Sequence, residues 1–151
     1  MVDRDYWSQN HPHPLAPNQH DVEVYQNFVA GSQSILLLGN TPALMSLFTT
    51  AMDSDPFLDD PRVICQDWTT NELQYDAIIG DGVLNFTAEL ADQVLEMAAK
   101  HCKVFVARSF NHRLPIMRIA DNFPVVSDFE ITPTETLKFA DYSFFVWRFN
   151  A

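Results

Sequence analysis

Ser34-Ile-Leu-Leu-Leu-Gly-Asn-Thr-Pro-Ala-Leu44 changes character twice along its length. Ser34 to Leu38 does not alternate apolar with polar, which predicts a strand buried on both faces. Gly39 allows a sharp turn and a close ligand approach. Thr41 suits a helix N-cap and Pro42 the first helical position. A strand that ends in glycine and opens a helix gathers free backbone N–H groups at one point, where an anionic or polar ligand can bind. Doubly wound α/β proteins begin their cofactor sites in this way. A plain strand-to-helix turn reads much the same, so the stretch gains meaning only from its partners.

Working outward, the chain alternates strand and helix. Asn18 can cap a helix carrying Val24, Tyr25, Phe28 and Val29, with Gly31 closing it. A short helix is expected from Pro42 to Leu47, and strands at Phe48–Met52 (ending at Asp53), Val63–Cys65 (ending near Asp67) and Ala77–Ile79. Thr87 to Lys100 is the clearest helix, with Leu90, Val94 and Ala98 on one stripe and Glu89 and Lys100 matching its dipole. A strand at Val104–Ala107, a helix at Leu114–Phe123 and strands at Val125–Ile131 and Tyr142–Phe149 complete the order. Alternation predicts an α/β fold: a doubly wound, mostly parallel, Rossmann-like sheet of about seven strands with helices on both faces. The last strand follows too short a connection for a helical crossover, so it should run antiparallel.

The chain has 151 residues, 47% of them hydrophobic, which suits a single domain over 1–151. Residues 1–17 are polar and proline-dotted and read as an N-terminal arm, with Tyr6 and Trp7 as anchors. His11 and His13 lack a third nearby ligand, so no metal is assigned. Cys65 and Cys102 lie in or beside apolar stretches and read as buried small hydrophobes. The net charge of −11 repels phosphate backbones and makes nucleic acid a poor partner. Arg108, His112, Arg113 and Arg118 form a local basic exception, read as a helix surface at a pocket mouth. No apolar run reaches membrane-spanning length, and the first residues show no signal-peptide pattern, so a cytoplasmic setting is expected. Nothing here sets the oligomeric state.

In an open α/β sheet, ligands bind beyond the carboxyl ends of the strands. Those ends supply Gly39-Asn40-Thr41, Asp53, Asp67-Trp68 and Gly80-Asp81-Gly82. Asp53 can accept from ribose hydroxyls, with Asp55 as the alternative should the strand end two residues later. Asp67 can accept from an adenine amine, and Trp68 can pack on the ring. A solvated acidic loop is the plain reading of Asp53, Asp55, Asp59 and Asp60. A calcium loop is discounted because Leu58 stands where glycine is needed.

Leu36-Leu-Leu-Gly-Asn-Thr-Pro-Ala-Leu44, Ala51-Met-Asp-Ser-Asp55, Gln66-Asp-Trp68 and Tyr75-Asp-Ala-Ile-Ile-Gly-Asp-Gly82 together resemble a class I S-adenosylmethionine-dependent methyltransferase. The likeness is to a small subgroup whose first motif reads leucine-glycine-x-threonine-proline, and Leu15 to Tyr25 resembles its lead-in helix. The likeness spans residues 15–112 and implies a seven-stranded sheet with a reversed final hairpin. It implies S-adenosylmethionine as cofactor, with Gly39, Asn40 and Thr41 facing its methionine part, Asp53 on the ribose, and Asp67 and Trp68 at the adenine. Gly80, Asp81 and Gly82 would lie beneath the sulfonium and the acceptor. The sequence departs from the family where Leu37 replaces an acidic residue, where the second motif glycine is Thr41 and the third is absent, and where the helix between Asp53 and Val63 is nearly deleted.

The expected function is therefore methyl transfer to a small-molecule acceptor. Asp81 is the candidate base or substrate orienter, and Asn85, Arg108 and His112 are further pocket candidates. One rival is a scaffold that binds S-adenosylmethionine without turnover, favoured by the trimmed segment after Asp53. Another is a nicotinamide-dependent oxidoreductase, for which Gly39-Asn-Thr-Pro-Ala-Leu44 supplies a single glycine where three are wanted.

Overall fold

The computed structural model describes residues 12–45, 47, 50–53, 60–85, 88–111 and 129–149. The elements, in chain order, are α1 (Gln19–Phe28), β1 (Ile35–Leu38), α2 (Pro42–Met45), β2 (Ala51–Asp53), β3 (Val63–Cys65), β4 (Tyr75–Ile79), α3 (Ala88–His101), β5 (Cys102–Phe110), β6 (Glu135–Lys138) and β7 (Tyr142–Arg148). Among the described residues, seven strands form one sheet in the order β3-β2-β1-β4-β5-β7-β6. β1 to β5 pair in parallel, while β7 runs antiparallel to both β5 and β6. The expected architecture, including the reversed last strand, is the observed one.

The unbroken apolar run of β1 is explained by burial on both sides. Leu37, with Ala77, Ile79, Val106 and Phe144, packs towards Val22 and Tyr25 of α1 and Val29 at its end. Leu36 and Leu38, with Ile78, Phe105 and Trp147, pack towards Ala91, Val94, Leu95 and Ala98 of α3. Successive strand residues therefore serve opposite faces, as the two-residue pleat requires.

α1 opens with a reciprocal cap: the Asn18 side chain accepts from the Asp21 N–H at 2.9 Å, and Asp21 Oδ2 accepts from the Asn18 N–H at 3.1 Å. Gly31, just beyond the helix, takes φ 85°, which no other residue type adopts without cost.

The structure corrects several expectations. Arg108, expected on a helix surface, lies buried in β5. β2 starts at Ala51 rather than Phe48, and α2 ends at Met45 rather than Leu47. The sixth strand is Glu135–Lys138 rather than Val125–Ile131; residues 129–131 form no strand, and 125–128 lie outside the described residues. All four residues of β6 are exposed at the sheet edge, so no apolar pattern marks them. β5 begins two residues earlier and ends three later than expected, following α3 with no intervening loop. Cys65 is exposed, because β3 is the opposite edge strand and Cys65 lies at its end. Cys102 is buried, and burial pushes its thiol up to about 12. The helix expected at Leu114–Phe123 lies outside the described residues, as do Tyr6, Trp7, His11, Phe48, Asp55, Leu58, Asp59, His112, Arg113 and Arg118.

Candidate functional site

Parallel pairing brings the carboxyl ends of β2, β1 and β4 side by side. Leu38 pairs with Met52, and the Gly39 N–H donates to the Met52 carbonyl at 2.8 Å, so the Gly39 turn stands next to Asp53. Gly39 takes φ 83°. The Thr41 carbonyl accepts from the Leu44 and Met45 N–H groups, both at 3.0 Å, and so starts α2. Asn40, Thr41 and Asp53 are all buried, at 9%, 6% and 4% exposure. The Asn40 side-chain oxygen has no hydrogen-bond partner among the described residues. A buried acceptor left unmatched costs about 1–3 kcal/mol, so this atom marks a place where a donor belongs.

Asp67 and Trp68 follow β3. Asp67 is exposed, and its Oδ1 accepts from the Thr69 N–H at 2.9 Å and the Thr69 hydroxyl at 2.8 Å, capping a short 3-10 turn at Trp68–Thr70. The Trp68 indole N–H donates to the Met52 carbonyl at 2.7 Å, which ties the ring to the end of β2.

Gly80-Asp81-Gly82 follows β4. The Gly80 and Gly82 N–H groups donate to the Val106 and Arg108 carbonyls of β5, each at 2.9 Å. A Cβ at Gly80 would meet Val83 Cγ2 at 2.5 Å, so close packing demands glycine there. Asp81 is 3% exposed and faces α1. Its Oδ1 accepts from the Tyr25 hydroxyl at 2.6 Å and Arg108 Nε at 2.7 Å; its Oδ2 accepts from Arg108 Nη2 at 3.0 Å. Asn85 is buried and spends its side-chain oxygen on the Phe110 N–H at 3.0 Å.

Arg108 belongs to a larger buried network. Nη1 donates to Asp21 Oδ2 at 3.3 Å and Nη2 to the Leu15 carbonyl at 3.1 Å. The Tyr142 hydroxyl donates to Asp21 Oδ1 at 2.7 Å, and the guanidinium carbon lies 4.7 Å from the Tyr142 ring centroid. Burial works against the Arg108 charge, but Asp81, aided by Asp21, outweighs it and raises the pKa. Burial, then the Asp81 charge, holds the Tyr25 hydroxyl well above the usual tyrosine value. Burial, then the hydrogen bond to Asp21, pushes Tyr142 up to about 12.

The structure thus gathers Gly39-Asn40-Thr41, Asp53 and Gly80-Asp81-Gly82 on one edge, with Asp67 and Trp68 next in line beyond β2. Sequence reasoning passed over Asp21, Tyr25 and Tyr142 as members of the network. The one signal for Asp21 was its spacing from Asn18, which fits a capping box.

No family model matches this sequence, nor does any curated protein sequence. Solved structures do share its architecture. Magnesium protoporphyrin IX methyltransferase from Synechocystis PCC 6803, with bound S-adenosylhomocysteine, superposes at a TM-score of 0.56 with 12% identity, over 87% of this chain and 83% of that one. The N-terminal domain of EvdMO1, also with S-adenosylhomocysteine, gives 0.52 at 14% identity over 98% and 85%. The 16S rRNA methylase ArmA gives 0.52 at 15% identity over 82% and 79%. At such identities the likeness is one of fold alone: a Rossmann-like sheet that this chain and these methyltransferases share.

Proposed function

We propose that this chain is an S-adenosylmethionine-dependent methyltransferase acting on a small-molecule acceptor in a cytoplasmic setting. The observation that carries the reading is the buried, unmatched Asn40 side-chain oxygen at the tip of β1, beside the buried carboxylate of Asp53 at the tip of β2. An acceptor and a carboxylate held together at a strand edge suit an adenosyl cofactor, which offers amine and hydroxyl donors. The shared architecture with methyltransferases supports the same reading.

In this proposal Gly39, Asn40 and Thr41 hold the methionine part, Asp53 the ribose, and Asp67 and Trp68 the adenine. Gly80, Asp81 and Gly82 form the floor beneath the reacting atoms. Bound S-adenosylmethionine supplies a methyl group on a sulfonium, an excellent leaving group. The residues then have to align the acceptor and exclude water, which can be worth about 7–11 kcal/mol. Both oxygens of Asp81 are engaged by Arg108 and Tyr25, so of its two expected roles we assign it that of orienter. One neighbour is named for a porphyrin and another for 16S rRNA; the net charge of −11 favours the small molecule.

Calorimetry with S-adenosylmethionine, S-adenosylhomocysteine and NAD tests the reading. The first two should bind and NAD should not; the opposite pattern rejects it. Asp53→Ala should weaken S-adenosylmethionine binding by about 1–3 kcal/mol, and an unchanged affinity would remove Asp53 from the ribose. Binding without methyl transfer to any component of a cell extract would make the chain a scaffold.

A further inference from the structure

We infer that the buried Asp21–Arg108–Asp81 cluster is a charge selector that makes the site prefer a cationic ligand over its neutral counterpart, with Asp21 as the residue that sets the sign. The inference rests on the cofactor reading above and deepens it. Asp21 lies in the lead-in helix and is fully buried. Every contact of its carboxylate in the network comes from a donor: the Tyr142 hydroxyl, Arg108 Nη1 and the Asn18 N–H. The same holds for Asp81, which takes the Tyr25 hydroxyl and two guanidinium N–H groups. Donor contacts of this kind match the acceptor-only chemistry of a carboxylate group. Among the described residues, two acidic side chains thus contact one guanidinium, a formal excess of one negative charge.

That excess lies where water screens it poorly. Arg108, Asp21 and Tyr25 are at most 1% exposed, and Asp81 is at 3%. His13 Nδ1 lies 3.6 Å from Asp21 Oδ2 and closer, at 3.1 Å, to the Ala16 carbonyl, on a side chain that is 40% exposed. The cluster also borders the candidate site. Leu37 pairs with Ile79, and continuing that register sets the Gly39 turn alongside the Gly80–Gly82 turn, one strand spacing away. The unmatched buried oxygen of Asn40 independently marks that edge as a place for a ligand. A buried charge near a binding site changes the affinity of a cation about tenfold at an effective dielectric of ~20 and leaves a neutral ligand nearly untouched. S-adenosylmethionine and S-adenosylhomocysteine differ by the methyl group and the positive charge on sulfur, so they form a matched pair of probes. Asp21 contacts Arg108, Tyr142 and Asn18, and so acts as a positioning residue through its charge.

The test is calorimetry of both probes on the full chain. In the unaltered protein S-adenosylmethionine should bind more tightly than S-adenosylhomocysteine; the reverse order overturns the inference. Asp21→Asn should lower the ratio of the two affinities about five- to tenfold, and Asp21→Glu should restore it. Tyr142→Phe, which deletes a hydrogen bond but no charge, should leave the ratio unchanged. Equal weakening of both probes by Asp21→Asn would mark Asp21 as merely structural and end the inference. Asp81→Asn, which removes a charge from the other side of Arg108, should move the ratio the same way and serves if the Asp21 variant does not fold. If neither probe binds the unaltered protein, the cofactor reading itself fails, a result distinct from a wrong ratio.

Discussion

The two faces of the sheet are built on different principles. Against α3 the sheet presents Leu36, Leu38, Ile78, Phe105 and Trp147, and the helix answers with Ala91, Val94, Leu95 and Ala98. Such a face gains stability from area and shape, and volume-conserving exchanges are tolerated. Against α1 the sheet presents apolar side chains too, but at its carboxyl edge it also carries Asp81, Arg108 and Tyr142, matched by Asp21 and Tyr25. Burying charges costs several kcal/mol per ion before any attraction is counted. A matched network gives back a fixed geometry. The contrast teaches that the α3 face holds the domain together while the α1 face fixes where the helix sits over the strand tips.

The contrast breaks most visibly at Arg108. Arg108→Met leaves two carboxylates buried without their cation and should lower unfolding free energy by about 3–5 kcal/mol in urea titration. Adding Asp21→Asn and Asp81→Asn to that variant should recover part of the loss; no recovery would mean that packing around the methylenes dominates. A smaller effect separates the faces in alkali. Burial and Asp21 raise Tyr142 from its ordinary value near 10 to about 12, so the folded state holds its proton more tightly than the unfolded one. Its contribution is complete below pH 10 and is lost as pH rises towards 12. Thermal melts should therefore show a steeper decline over that window in the unaltered protein than in Tyr142→Phe. The smallest effect is one of reactivity alone. In the native state at pH 8 a thiol reagent should label Cys65, exposed at the β3 edge, and spare Cys102, buried behind α3; rapid labelling of both would show that the α3 face opens readily.

Legibility followed the same division. β1, with its unbroken apolar run and glycine turn, was readable because local pattern and burial agree. So was α3, whose stripe meets an apolar sheet. β6 was not, because an exposed edge strand of Glu, Thr, Leu and Lys needs no apolar signature. The strand-end residues could be lined up from sequence because parallel topology puts carboxyl ends on one edge. The network could not be, because Tyr142 and Asp21 meet across 121 positions and Arg108 and Asp81 across 27. Arg108 follows Val104–Ala107 as though it merely ended a strand, and nothing local shows that its strand continues to Phe110.

The direct passage from His101 of α3 into Cys102 of β5 leaves the chain no slack at that junction. Adding or removing one residue there would turn the helix by about 100° against the strand or slip the strand by one position, exchanging its inward and outward sides. The partners of Phe105 and Arg108 would then trade places, and a hydrocarbon layer would confront a salt cluster. Length at this point is therefore as tightly constrained by geometry as any side chain, and engineered insertions belong elsewhere.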